Sequence, residues 1–119
     1  MNQYTEKQIQ ETLKIVESSI VNCEKVRLKL KEGSASYSLN TNRIKALYIS
    51  KALLANQANE YTKEEIEKAV TQIVSIKSKS TTGITNAKEG SATYTRFSRL
   101  IDAMNIVLDY LQNAIDECK

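Results

Sequence analysis

The chain has 119 residues, which suits one domain of ordinary size but not two lobes with a cleft between them. Its hydrophobic share of 41% is too high for a disordered chain. Seventeen basic and fourteen acidic residues leave a net charge of +3, far below that of typical basic nucleic-acid binders. We therefore expect one folded domain, residues 1–119, and do not expect nucleic acid as a partner.

Missing residue types narrow the fold and the chemistry further. The chain has no His, which removes Ser-His and Cys-His catalytic pairs and the commonest zinc ligand. We therefore predict a protein that is not an enzyme, with no metal site and no cofactor. The absence of Pro and Trp, with only three Gly, favours mostly helical structure.

Targeting signals are also missing from the sequence. No apolar run approaches the roughly 20 residues of a membrane span, and the first residues lack the basic and apolar regions of a signal peptide. We therefore expect a cytoplasmic protein without membrane contact. Cys23 and Cys118 are predicted to be reduced thiols, with a bridge between two chains through Cys118 as the alternative.

The sequence repeats itself with an offset of 57 residues. Residues 2–57 align with residues 59–114 without a gap, and 16 of these 56 pairs are identical. The longest shared motif, Lys-Glu-Gly-Ser-Ala-x-Tyr, occupies 31–37 and 88–94. The chain is therefore interpreted as two tandem copies of one unit.

Each copy begins with the same helix-start signals. Thr5 with Gln8, and Thr62 with Glu65, have the spacing of a capping box, and a Tyr stands before each cap in the position of a hydrophobic staple. Apolar spacing predicts a first helix over about 6–31, although 25–31 also alternates like a strand. In the second copy we expect helix to about Lys77, then a distorted helix or a loop over 78–86, which is rich in Ser and Thr.

Each copy then turns and forms a second helix. Gly33 and Gly90 stand where a helix ends, and the following Ser and Thr residues are potential N-caps for helices over about 38–56 and 95–117. The apolar face of these second helices is too wide for a two-helix contact. We therefore predict an all-α, up-down four-helix bundle of two tandem hairpins about a pseudo-two-fold axis, with both Gly-Ser turns at one end.

The repeated motif is the strongest candidate for a binding site. Backbone amides at a helix start attract anions, and nearby basic and aromatic side chains can add charge or stacking. The candidate ligand-binding residues are Lys31, Gly33, Ser34, Ser36, Tyr37 and Arg43 in the first copy and Lys88, Gly90, Ser91, Thr93, Tyr94, Arg96 and Arg99 in the second. An ordinary turn also explains Gly and Ser, and Glu32 and Glu89 would repel a phosphate. The motif therefore has both a structural and a functional interpretation.

Two hypotheses of function follow. In the first, a small binding protein holds or sequesters an anionic, phosphate-containing ligand, in its sharpest form a cyclic dinucleotide, through two equivalent turns. In the second, the chain is a homo-oligomeric helical module, such as an adaptor, inhibitor or regulator, that uses the wide apolar face of its second helices. Both agree with a chain in which no acid, base and nucleophile are visibly arranged.

Overall fold

The computed structural model describes residues 4–57 and 61–118. Within these ranges it contains four α-helices and no strand: α1 is Glu6–Arg27, α2 Ala35–Leu54, α3 Lys63–Asn86 and α4 Ala92–Glu117. The predicted all-α class with four helices is confirmed for this part of the chain. None of these helices is both long and apolar enough to cross a bilayer.

Both first helices begin as the capping-box spacing predicts. The Thr5 hydroxyl accepts the Gln8 amide at 3.1 Å, while the Thr5 amide donates to Gln8 Oε1 at 2.8 Å. Thr62 and Glu65 make the same reciprocal pair at 3.1 and 2.9 Å. These bonds satisfy amides that have no partner within the helix, so each start is fixed by residues three apart.

The end of α1 differs from its predicted position at Lys31. The helix stops at Arg27, and the amides of Lys29 and Leu30 then bond to carbonyls only three residues back. Leu30, the apolar residue whose spacing suggested the longer helix, is half-buried but is not among the described residues that pack against the core, and Leu28 is 88% exposed. Apolar spacing predicted four residues of helix that tertiary packing does not support.

The second helices begin three residues earlier than predicted. Ser34 and Ser91 are the N-caps, rather than the Ser and Thr residues that follow them, so α2 starts at Ala35 and α4 at Ala92. Helix α3 runs without interruption to Asn86, through the section for which a distorted helix or a loop was expected. The reason lies in packing: the tip of the Phe97 ring lies directly over Gly83, where any β-carbon would be 2.6 Å from ring atom Cζ.

One apolar core joins all four helices. Its fully buried side chains include Val16 of α1, Leu47 of α2, Ile73 of α3, and Met104, Val107 and Leu111 of α4. The contacts of α1 with α2 and of α3 with α4 define two hairpins, and α2 meets α3 while α1 meets α4. Each hairpin therefore buries its apolar face against the other.

The two hairpins cross, in contrast to the aligned helices of the predicted bundle. Aligned helices of 20 to 26 residues would form a prism about 39 Å long and about 20 Å in both other directions, at 1.5 Å per residue. The molecule instead measures 43 × 39 × 19 Å, which is two helix layers thick and almost as broad as it is long. The helices approach closely where small residues lie between them, at Ala46 and Ala69 for α2 with α3 and at Thr12 and Ala103 for α1 with α4. Each of these four residues is only 2% exposed.

The two grooves between the hairpins are lined by 42–49 with 65–72 and by 8–15 with 99–106, and the turns at 28–34 and 87–91 line neither of them. The placement of both Gly-Ser turns at one end of the molecule stays a prediction.

Candidate functional site

The two Gly-Ser turns have the same local geometry. Gly33 and Gly90 adopt φ values of +88° and +86°, a region that L-residues with side chains rarely enter. The hydroxyls of Ser34 and Ser91 then each accept an amide hydrogen bond at 3.1 Å, from Tyr37 and Tyr94 respectively. A β-carbon at either glycine would meet nothing within 4 Å, so the backbone angle and not close approach requires glycine.

Capping leaves part of each helix start available to a ligand. The serine hydroxyl accepts the hydrogen bond of the third backbone amide of the helix. The first two amides of the helix, at 35 and 36 or at 92 and 93, have no carbonyl partner within the helix. The same hydroxyl still has a proton that it can donate outward. Each turn therefore offers two amides and one hydroxyl to an anion, beside the positive end of the helix dipole.

The first turn also has an arginine that the sequence did not single out as a site residue. Arg27 donates from Nε and Nη2 to the Tyr37 hydroxyl at 3.1 and 3.0 Å, and its guanidinium carbon lies 5.1 Å from the centre of the Tyr37 ring. Ile84 occupies the corresponding position of the second copy. In the sequence, Arg27 falls at one position of the apolar spacing of the first helix, which gives no reason to assign it to the turn. Its contact with Tyr37 is visible only in the structure. The two turns therefore differ in charge.

The structure gathers part of the predicted set at each turn. The residues placed there are Lys31, Gly33, Ser34, Ser36 and Tyr37 at the turn before α2, and Lys88, Gly90, Ser91, Thr93 and Tyr94 at the turn before α4. The predicted arginines lie elsewhere or face other groups. Arg43 donates to Ser75 of α3 at 3.4 Å, Arg96 lies 6.0 Å from the Phe97 ring, and Arg99 lines a groove between α1 and α4.

Two grooves follow the contacts between the hairpins. The α2–α3 groove encloses about 350 Å³ and the α1–α4 groove about 480 Å³. The first is lined by Asn42, Lys45, Ala46, Ile49, Glu65, Lys68, Ala69, Thr71 and Gln72, and the second by Gln8, Glu11, Thr12, Lys14, Ile15, Arg99, Asp102, Ala103 and Ile106. Every residue of one groove has its counterpart in the other at the repeat offset of 57. Residues 57 positions apart in the sequence thus line both grooves.

The grooves differ in chemistry although they match in position. In the α2–α3 groove Lys45 Nζ lies 3.0 Å from Glu65 Oε2, whereas the corresponding pair in the other groove is Asp102 and Gln8. The pKa of Glu65 is lowered, first by the hydrogen bond from the Thr62 amide and then by Lys45. The two grooves therefore would not select the same ligand.

The environment of Cys23 does not favour a reactive thiolate. Cys23 and Cys118 are both free. Burial raises the pKa of the Cys23 thiol, and nearby Arg43 opposes this only in part, so the thiolate is disfavoured at neutral pH. Across 4–57 and 61–118, no group of three or more potential metal ligands comes together.

Comparisons with known proteins yielded no relative for this chain. No protein-family model, no curated protein and no solved structure matches it.

Proposed function

We propose that the chain is a small, non-enzymatic binding protein that holds an anionic, phosphate-containing ligand at its Gly-Ser turns. The observation that carries the proposal is the preserved geometry of the two turns, in which each helix start leaves two amides and a serine hydroxyl for an anion. The motif also keeps Lys, Glu, Ala and Tyr in both copies, although a turn requires only Gly and Ser. The match between the grooves supports a pseudo-two-fold relation of the hairpins as part of the same proposal.

Each turn is proposed as a separate half-site, because each has its own capped helix start. A protein with two half-sites and no catalytic groups would sequester its ligand and leave it chemically unchanged. Arg27 makes the first turn the more positive of the two, so we expect it to bind more tightly. A nucleotide suits this chemistry, because its phosphate can meet the amides while its base stacks on the adjacent Tyr ring.

Thermal unfolding with a panel of nucleotides, including cyclic dinucleotides, tests this proposal. A ligand at one hundred times its Kd stabilises the folded state by about 2.7 kcal/mol, a shift of several degrees in Tm. The double substitution Lys31→Ala and Lys88→Ala should reduce that shift. The control is Lys7→Ala with Lys63→Ala, which removes the same charge at exposed positions in the first turns of α1 and α3, at the helix ends away from the Gly-Ser turns. This control should leave the shift in Tm unchanged. If no member of the panel raises Tm at a large excess, the proposal fails.

A second candidate, homo-oligomerisation, is favoured by an asymmetry between the hairpins. The first hairpin exposes Val21, Val26, Leu28, Leu39 and Tyr48, each by at least 43%. The corresponding residues of the second hairpin are Ser78, Gly83, Thr85, Arg96 and Asn105. Exposed apolar residues in the first hairpin, at positions that are polar or small in the second, suggest that the first hairpin is covered by another molecule.

Light scattering over a range of concentrations tests the oligomer. We expect mass to rise with concentration, and Val21→Ser with Leu28→Thr, which installs the residues of the second copy, to abolish the rise. Val74 is similarly exposed at 45% but lies on α3, so Val74→Ser is a matched control that should leave association unchanged. A monomer at every concentration would exclude this candidate.

A further inference from the structure

The α1–α4 groove is lined by four charged side chains, two of each sign. Glu11 and Lys14 are three residues apart on α1, and Arg99 and Asp102 are three residues apart on α4, so each helix contributes one acidic and one basic side chain from a single face. All four residues are exposed, so their charged groups are accessible to a molecule in the groove.

The charges of like sign lie toward the same end of this groove. Tyr4, which precedes α1, donates to Asp109 of α4, so the start of α1 lies beside the later part of α4. On both helices the acidic groove residue is closer along the chain to this contact than the basic residue is. The acidic pair therefore lies toward one end of the groove and the basic pair toward the other.

These four charges have no partners in the part of the chain that the structure describes. None of the three salt bridges found there includes them, and neither does any side-chain hydrogen bond. In the α2–α3 groove, by contrast, Lys45 Nζ lies 3.0 Å from Glu65 Oε2. The residues at these two positions of the α1–α4 groove are Asp102 and Gln8, which cannot form an ion pair. The charges of the α1–α4 groove therefore stay free to pair with a ligand.

The groove is apolar beneath its charged rim. Ala103 and Ile106 are 2% and 8% exposed, and Ile15 is half-buried. The enclosed volume of about 480 Å³ lies within the range of small-molecule sites. Residues three apart on a helix are separated by about 4.5 Å along its axis, at 1.5 Å per residue. The site therefore suits a small molecule whose opposite charges lie close together and whose remaining surface is apolar.

We propose that the α1–α4 groove binds a small zwitterion, an α-amino acid with an apolar side chain. Its carboxylate pairs with Lys14 and Arg99, and its ammonium group pairs with Glu11 and Asp102. Its side chain packs on Ile106. An ion of one sign would pair with one end of the groove and be repelled by the other. This site is separate from the Gly-Ser turns and does not rest on their binding anything.

The test is calorimetric titration of the full chain with L-leucine, N-acetyl-L-leucine and L-leucinamide. The second compound lacks the ammonium group and the third lacks the carboxylate, so each should bind more weakly than L-leucine by roughly tenfold or more. L-Leucine should also shift the backbone amide resonances of 8–15 and 99–106 in the nuclear magnetic resonance spectrum. No binding of L-leucine, equal binding of all three compounds, or shifts confined to other residues would overturn the inference.

A charge-removing variant tests the basic end of the groove. Lys14→Thr with Arg99→Asn installs the residues that stand at the corresponding positions of the α2–α3 groove. It should weaken L-leucine binding by roughly tenfold or more. Both side chains are exposed, so Tm without ligand should change little. L-Leucine binding that survives in this variant would overturn the inference.

Two control variants remove the same number of positive charges elsewhere. Lys45→Ala with Lys68→Ala changes the α2–α3 groove, and Lys31→Ala with Lys88→Ala changes the Gly-Ser turns. Both should bind L-leucine as tightly as the natural chain does. A loss of L-leucine binding in the first control would place the site in the other groove, and a loss in the second would place it at the turns, so either result overturns the inference.

Discussion

At the scale of single residues, the packing of Phe97 on Gly83 reverses the effect that helix propensity alone predicts for a substitution. Gly83 lies inside α3, where alanine would normally favour the helix by about 1 kcal/mol. The space above Gly83 is filled by the tip of the Phe97 ring, so an added methyl group would displace that ring. Overpacking of this kind costs about 1–3 kcal/mol, which exceeds the gain in propensity.

Gly83→Ala is therefore expected to destabilise the protein by about 1 kcal/mol. In a Phe97→Ala background the clash is absent, and the same change should instead stabilise by about 1 kcal/mol. Urea unfolding of the four proteins in this double-mutant cycle gives both values. A destabilisation that is equal in the two backgrounds would show that the Phe97 ring is not its cause.

Glu65 links one helix cap to the acid stability of the whole protein. Its pKa is lower in the folded state because the Thr62 amide and Lys45 favour the ionised carboxylate. A lowered carboxyl pKa stabilises the folded state fully above the ordinary carboxyl range, and this contribution disappears as the pH falls through the folded-state pKa.

Glu65→Gln isolates this contribution, because glutamine retains the capping geometry that Gln8 shows in the first copy. At pH 7 we expect the natural chain to be more stable than the variant. The difference in unfolding free energy should shrink as the pH falls from neutral to about 3. Urea unfolding at several pH values measures it, and a difference independent of pH would mean that the charge contributes nothing.

At the scale of secondary-structure elements, the second half of α3 is a helix that its sequence disfavours. Thr81, Thr82 and Thr85 are exposed and donate their hydroxyls to carbonyls four residues back. Such bonds do little for a helix, and threonine has a low helix propensity. Packing against α4 imposes the helix here, which is why neither propensity nor apolar spacing could decide between helix and loop.

The triple substitution Thr81→Ala, Thr82→Ala, Thr85→Ala should raise stability by about 1–2 kcal/mol, because helix propensity improves and no buried contact is lost. Thermal unfolding should show an increase in Tm of several degrees. Thr12 is the matched control: it is 2% exposed at the contact with α4, so Thr12→Ala should give no such gain. A fall in Tm of the triple variant would mean that these hydroxyls have a role that the helix does not explain.

At the scale of the whole molecule, neither hairpin has a core of its own. Val16 and Leu47 of the first hairpin and Ile73 and Met104 of the second are completely buried within one shared cluster. A separate hairpin would expose this surface to water, and a chain of about 57 residues buries too little apolar area to compensate.

A fragment of residues 1–57 is therefore expected to show little helix by circular dichroism, and so is a fragment of 58–119. An equimolar mixture should recover helical signal, because each fragment supplies the apolar face that the other lacks. The intact chain should unfold in one cooperative transition. Stable helix in either fragment alone would show that the hairpins are independent units.

The sequence by itself determined the features that depend on neighbouring residues. These are the two capping boxes and the number and order of the helices, set by hydrogen bonds and apolar spacing within a few residues. The prediction that Gly33 and Gly90 end a helix was wrong, because the helices end at Arg27 and Asn86 and each glycine instead precedes the N-cap of the next helix. Only the tertiary structure decided where α1 ends, whether α3 continues, how the hairpins cross, and that Arg43 faces α3 instead of the Gly-Ser turn. Those outcomes depend on which side chains meet across helices, and such contacts are between residues distant in the chain.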